Sequence, residues 1–140
     1  MSEAPIAPKP QTGLKVIVVE DQTAVARTLV DTLAALGHQV CGVASDVLEM
    51  AGLLQRFSAD LLTIDLNLGK LHEGVGVATA LQAAGPIPIV FVTGAASDEQ
   101  KADIRALEAA ALVIKPFTAD QLRIGIALAF ERARKARAGL

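Results

Sequence analysis

Five positions able to do chemistry stand where apolar runs stop. Glu20 and Asp21 follow KVIVV, Asp65 follows LLTI, Thr93 follows IVFV and Lys115 follows ALVI. Each has a plain reading on its own. Glu20 and Asp21 can place negative charge at a helix N-terminus, where the dipole favours it. Asp65 can open a turn, Thr93 can satisfy its own backbone, and Lys115 can be a surface charge. Together they would put three carboxylates, a hydroxyl and an ammonium on one rim. Two carboxylates about 5 Å apart repel by roughly 3 kcal/mol at an effective dielectric near 20, so three crowded together need a cation. Oxygen donors without nitrogen or sulfur favour a hard ion such as Mg²⁺. A lysine pairs with a carboxylate or with a phosphoryl group. A nucleophilic carboxylate, a divalent cation, a lysine and a hydroxyl are the parts needed to move a phosphoryl group onto an aspartate.

That convergence requires a particular arrangement of strands. The runs at 14–19, 38–43, 60–64, 87–92 and 111–114 are short, apolar and rich in β-branched residues, and read as buried strands. Helical signals separate them. Val25, Leu29, Leu33 and Leu36 share one helix face, which Gly37 ends. Asp46 with Glu49, Ser97 with Gln100, and Thr118 with Gln121 have capping-box spacing, and a further helix spans about Gly74 to Ala84 before Gly85-Pro86. Strand and helix alternate five times without a hairpin signal, which predicts an α/β, doubly wound, five-stranded parallel sheet. In such sheets ligands bind outside the carboxyl ends of the strands, where the five residues fall. Ser45 and Asp46, after the second strand, are explained by a helix start.

At 140 residues, 52% hydrophobic and 20% charged, the chain suits one folded domain over 13–137. Residues 1–12, with Pro5, Pro8 and Pro10, read as a flexible N-terminal tail. No apolar stretch approaches the roughly 20 residues of a membrane span, and no secretory signal opens the chain, so a cytoplasmic protein without membrane association is expected. The formal net charge of −2 and the absence of Trp and Tyr argue against direct nucleic-acid binding. Arg132, Arg134, Lys135 and Arg137 are read as complementing a helix C-terminus. The lone Cys41 has no zinc-type spacing around it and is expected as a buried strand thiol.

With VVED (18–21), TID (63–65), FVTG (91–94) and VIKPF (113–117) in this order over residues 14–133, the sequence resembles the receiver domain of bacterial two-component response regulators. The resemblance implies a flavodoxin-like (βα)5 fold and a stand-alone receiver phosphorylated by a sensor histidine kinase. Asp65 would be the phosphoacceptor. Asp21 would bind Mg²⁺ directly, Glu20 mainly through water, and the Asn67 backbone carbonyl would be a further ligand. Thr93 would hydrogen-bond the phosphoryl group, Lys115 would pair with it, and the Lys115-Pro116 bond would be cis. The domain would catalyse its own phosphorylation and slow hydrolysis without being a turnover enzyme. It would signal to a downstream protein or phosphotransfer partner, or act as a phosphate sink.

Departures from the pattern are equally specific. Leu112 stands where most receivers carry a switch aromatic, Gly69 replaces a usual proline, and Gly74 lies one residue late. FVTGAA resembles the FATGUY subgroup of single-domain receivers, with Ala96 in place of its tyrosine. These changes keep open a pseudo-receiver that binds partners without phosphorylation. A small aspartyl-phosphate phosphatase of the haloacid-dehalogenase type would need a second acid at Asn67, and a dinucleotide fold would need a glycine-rich turn after the first strand. On the last helix, Leu122, Ile126, Ala129 and Ala133 share a face expected to pack on the sheet. Ile124 and Leu128 point away from it, which marks a surface for a partner or a second copy of the chain.

Overall fold

The structure is a computed structural model and describes residues 11–68, 74–84 and 87–138. Gly69, Gly85, Pro86 and most of the proposed tail lie outside these residues. Five strands, β1 (Lys15–Val19), β2 (Gln39–Ala44), β3 (Leu61–Ile64), β4 (Ile89–Thr93) and β5 (Ala110–Ile114), alternate with five helices. The helices are α1 (Thr23–Ala35), α2 (Val47–Arg56), α3 (Gly74–Ala84), α4 (Asp98–Ala106) and α5 (Ala119–Arg137). All strand pairs are parallel, in the order β2-β1-β3-β4-β5. The expected doubly wound sheet is therefore present.

Strand alternation builds a core on each face of the sheet. Val16, Val18, Leu61, Val90, Val92 and Val113 meet Leu29 and Leu33 of α1 and Leu122 and Ile126 of α5. Ile17, Val19, Leu62, Ile64 and Phe91 meet Met50 of α2, Ala78 of α3 and Ile104 of α4. Every residue of β3 and β4 is buried, as expected for central strands covered on both sides. Cys41 is only half-buried, against the sequence expectation, because β2 is an edge strand. Val25 and Leu36 are also only partly buried, at the ends of the α1 stripe.

Local chemistry sets the helix ends. Ser97 and Gln100 form both halves of a capping box on α4, and Thr118 and Gln121 do the same on α5. The Asp46 side chain accepts the Glu49 N–H at the start of α2. Gly37, at φ 91°, takes the left-handed turn after α1 and leads into buried His38. His38 Nδ1 accepts the Leu14 N–H at 3.3 Å, and burial lowers its pKa, so the neutral ring fits this position.

The other flank of the sheet ends at β5. The Ile89 N–H bonds the Ala109 carbonyl and the Lys115 N–H bonds the Thr93 carbonyl, so the intervening Ala110 carbonyl faces away from β4. Arg132 of α5 covers that carbonyl with its Nη1 at 2.8 Å.

Gly74 has a steric reason to be glycine. A Cβ there would lie 2.8 Å from the carbonyl oxygens of Asp65 and Leu66, and 2.9 Å from Leu66 Cα. The start of α3 thus packs directly on the backbone that carries Asp65. Gly74→Ala is expected to destabilise the fold by about 1–3 kcal/mol through overpacking, read as a lower urea midpoint with unchanged m-value.

Candidate functional site

The parallel ladder continues one step past the strands and lines up the rim. The Glu20 N–H bonds the Ala44 carbonyl at 2.9 Å, the Asp65 N–H bonds Val19 at 3.0 Å, and the Lys115 N–H bonds Thr93 at 2.7 Å. Residues remote in sequence therefore emerge at one level of the sheet. Lys115 Nζ lies 2.7 Å from Glu20 Oε1 and 3.7 Å from Asp65 Oδ2. Carboxylate oxygens of Glu20, Asp21 and Asp65 all lie within 4.8 Å of one another. The Lys115-Pro116 bond is cis, as expected.

Burial distinguishes the three acids. Glu20 and Asp65 are 2% and 7% exposed, whereas Asp21 is exposed. Burial pushes the Glu20 carboxyl above the ordinary carboxylate range. Its hydrogen bonds from Lys115 and the Gln22 N–H pull the other way, and the Asp65 charge adds to the rise. Among the described residues the cluster offers carboxylate oxygens whose negative charge exceeds that of the one ammonium paired with it, Lys115, which suits a hard divalent cation.

A second network lies on the other side of Asp65. The Asn67 N–H donates to Asp65 Oδ1 at 3.0 Å, fixing that oxygen. The Asn67 Nδ2 donates to Thr93 Oγ1 at 3.1 Å and to the Ala95 carbonyl at 3.2 Å, and the Thr93 hydroxyl donates to the same carbonyl at 3.1 Å. Gln100 Nε2 donates to Asn67 Oδ1 at 3.0 Å. Sequence reasoning assigned Asn67 only a backbone role and Gln100 only a cap. Their side-chain contact spans 33 positions, and no local pattern encodes it.

The structure thus brings together Glu20, Asp21, Asp65, Asn67, Thr93 and Lys115. Leu112, Ile124 and Leu128 lie elsewhere. Leu112 is partly buried in β5 against the core on the α2–α3–α4 side. Ile124 and Leu128 are 54% and 43% exposed on α5, opposite the buried face of Leu122, Ile126, Ala129 and Ala133. No helix among the described residues is long and apolar enough to cross a membrane.

Known proteins share this architecture. A family model described as the response regulator receiver domain matches residues 16–127. The sensor histidine kinase RcsC of Salmonella typhi is 32% identical over 128 residues, 89% of this chain and 13% of its own length. A protein-glutamate methylesterase/protein-glutamine glutaminase of Myxococcus xanthus is 37% identical over 106 residues, 74% of this chain and 30% of its own. This chain therefore spans less than a third of either relative. Among solved structures, the signal receiver domain of a modulated diguanylate cyclase from Desulfovibrio desulfuricans superposes with a TM-score of 0.75 at 27% identity, covering 89% of this chain and 98% of that one. The anti-anti-sigma factor PhyR of Bartonella quintana gives 0.71 at 25% identity, over 93% and 53%. Sheet order, rim chemistry and family match agree, and the chain belongs to the response regulator receiver domain family.

Proposed function

We propose that Asp65 accepts a phosphoryl group from a sensor histidine kinase. The observation that carries this reading is its position between the Lys115 ammonium and the Asn67 N–H, beside the Glu20 and Asp21 carboxylates. An Asp65 oxygen bonds to phosphorus as the donor's P–N bond breaks; the electron pair stays on the departing imidazole, which takes a proton. Lys115 pairs with the phosphoryl oxygens and Thr93 donates its hydroxyl to them. Glu20, Asp21, Asp65 and the Asn67 backbone carbonyl are the residues that would hold Mg²⁺, with Glu20 mainly reaching it through water. Bound there, the ion supplies positive charge to the phosphoryl oxygens.

Lys115 is placed to serve two acids. It is nearer Glu20 than Asp65, and the same side chain reaches either within a salt-bridge distance. A countercharge for Glu20 from elsewhere would leave the ammonium to Asp65 and its phosphoryl group.

The domain spans 13–137, after a tail over 1–12, and works in the cytoplasm. It catalyses its own phosphorylation, does not turn over a metabolite, and passes the signal to a downstream protein or phosphotransfer partner. Leu112 in place of an aromatic puts signalling on other groups, and the exposed Ile124 and Leu128 offer a face for that partner or for a second copy.

Three outcomes follow. With Mg²⁺ and a small phosphodonor, intact mass should show one acid-labile phosphoryl group per chain, absent from Asp65→Asn; no labelling even with a cognate kinase removes the reading. Mg²⁺ at about 100 times its Kd should stabilise the protein by roughly 2.7 kcal/mol near pH 7. Because the Glu20 carboxyl titrates above the ordinary range, protons compete early, and this gain should shrink as pH falls from 7 towards 5. A gain that is unchanged over that interval would exclude Glu20 from the metal site. Ile124→Lys with Leu128→Lys should reduce self-association or the response to a kinase, measured by light scattering and phosphotransfer; unchanged values in both would dismiss the face.

A further inference from the structure

The α4 capping box does more than start a helix. Gln100 Oε1 accepts the Ser97 N–H at 3.0 Å, and the Gln100 N–H donates to Ser97 Oγ at 3.1 Å. Its remaining amide nitrogen reaches Asn67 Oδ1 at 3.0 Å. Two backbone groups fix the sense of this chain. The Ser97 N–H can only donate, so Gln100 must turn its oxygen there. The Ala95 carbonyl can only accept, so Asn67 must turn its nitrogen there. What is left, Gln100 Nε2 and Asn67 Oδ1, meets as donor and acceptor.

The Asn67 amide has two hydrogens, one towards Thr93 Oγ1 and one towards the Ala95 carbonyl. Thr93 has one, and at rest it goes to that same carbonyl. When Thr93 turns its hydrogen to a phosphoryl group, the Ala95 carbonyl keeps the Asn67 donor and is not stranded. Ala95 is itself exposed, so water can complete this carbonyl as well, and the turn leaves no acceptor buried without a partner.

We propose that Gln100 is a positioning residue for phosphorylation: by holding the Asn67 carboxamide, it makes the Thr93 hydroxyl available to the phosphoryl group. This rests on Asp65 being the phosphoacceptor. Gln100 touches neither Asp65 nor the phosphoryl group and acts only through Asn67.

Two substitutions separate positioning from capping. Gln100→Glu keeps an oxygen for the Ser97 N–H, since Glu and Gln serve equally in a capping box, but presents an acceptor to Asn67 Oδ1. Ser97→Ala damages the cap and leaves the Gln100 amide to Asn67. Phosphorylation by a small phosphodonor with Mg²⁺ should slow about fivefold in Gln100→Glu, the rate equivalent of one hydrogen bond of about 1 kcal/mol. The Asn67 side-chain amide and Thr93 NMR resonances should shift in the same variant before any phosphodonor is added. Ser97→Ala should lower the thermal midpoint and leave the rate and those resonances unchanged. A wild-type rate in Gln100→Glu, or equal slowing in Ser97→Ala, overturns the proposal. If the wild-type chain takes up no phosphoryl group, the Asp65 reading falls and the resonances decide alone. Signals that move only in Gln100→Glu keep Gln100 as the residue that orients Asn67, and unmoved signals remove it.

Discussion

A carboxylate shut off from water has to be given a countercharge, and Glu20 takes Lys115. The two are 95 positions apart, on strands that are not neighbours, so the pair forms only when β1, β3, β4 and β5 are all in register. Removing one partner of a buried ion pair typically costs about 3–5 kcal/mol, because the other is left uncompensated. The pair therefore holds the rim together as well as charging it. Asp65, one residue past β3 and between them, inherits a field in which a third negative charge is tolerable only with cationic help. That is why the same geometry reads as a phosphoryl site and as a metal site.

The sequence carried the sheet and most of the rim. Period-two and continuous apolar runs located all five strands to within a residue or two, because central parallel strands are buried on both faces and leave little ambiguity. The Ser97–Gln100 and Thr118–Gln121 boxes were equally legible, since both halves of the bonding lie within four residues. Edge effects were less so. Cys41 reads as interior in a string of apolar residues, yet nothing in that string says that β2 has only one neighbour. Gly74 was visible as a glycine out of its usual place, but its cause, the backbone of Asp65 and Leu66 pressed against its α-carbon, is a tertiary contact. Gln100 was hidden for the same reason: its cap is local and its contact with Asn67 is not.

Leu112 packs against the core, whereas the groups around Asp65 are joined by polar couplings. Packed side chains couple through volume, whereas carboxamides couple through donors and acceptors, whose sense can be fixed by the backbone groups at their ends. The network of Asn67, Thr93, Ala95 and Gln100 has a fixed sense at both ends, and it runs from the loop after β3 to the first turn of α4.

The Arg132 contact with the Ala110 carbonyl has a bearing on how copies of the chain can meet. A free sheet edge is a template on which a foreign strand can crystallise, residue by residue. Here an arriving strand would find a guanidinium already seated at one of the acceptors its own amides require. The margin at β5 is thus closed at that acceptor to the amide of an added strand.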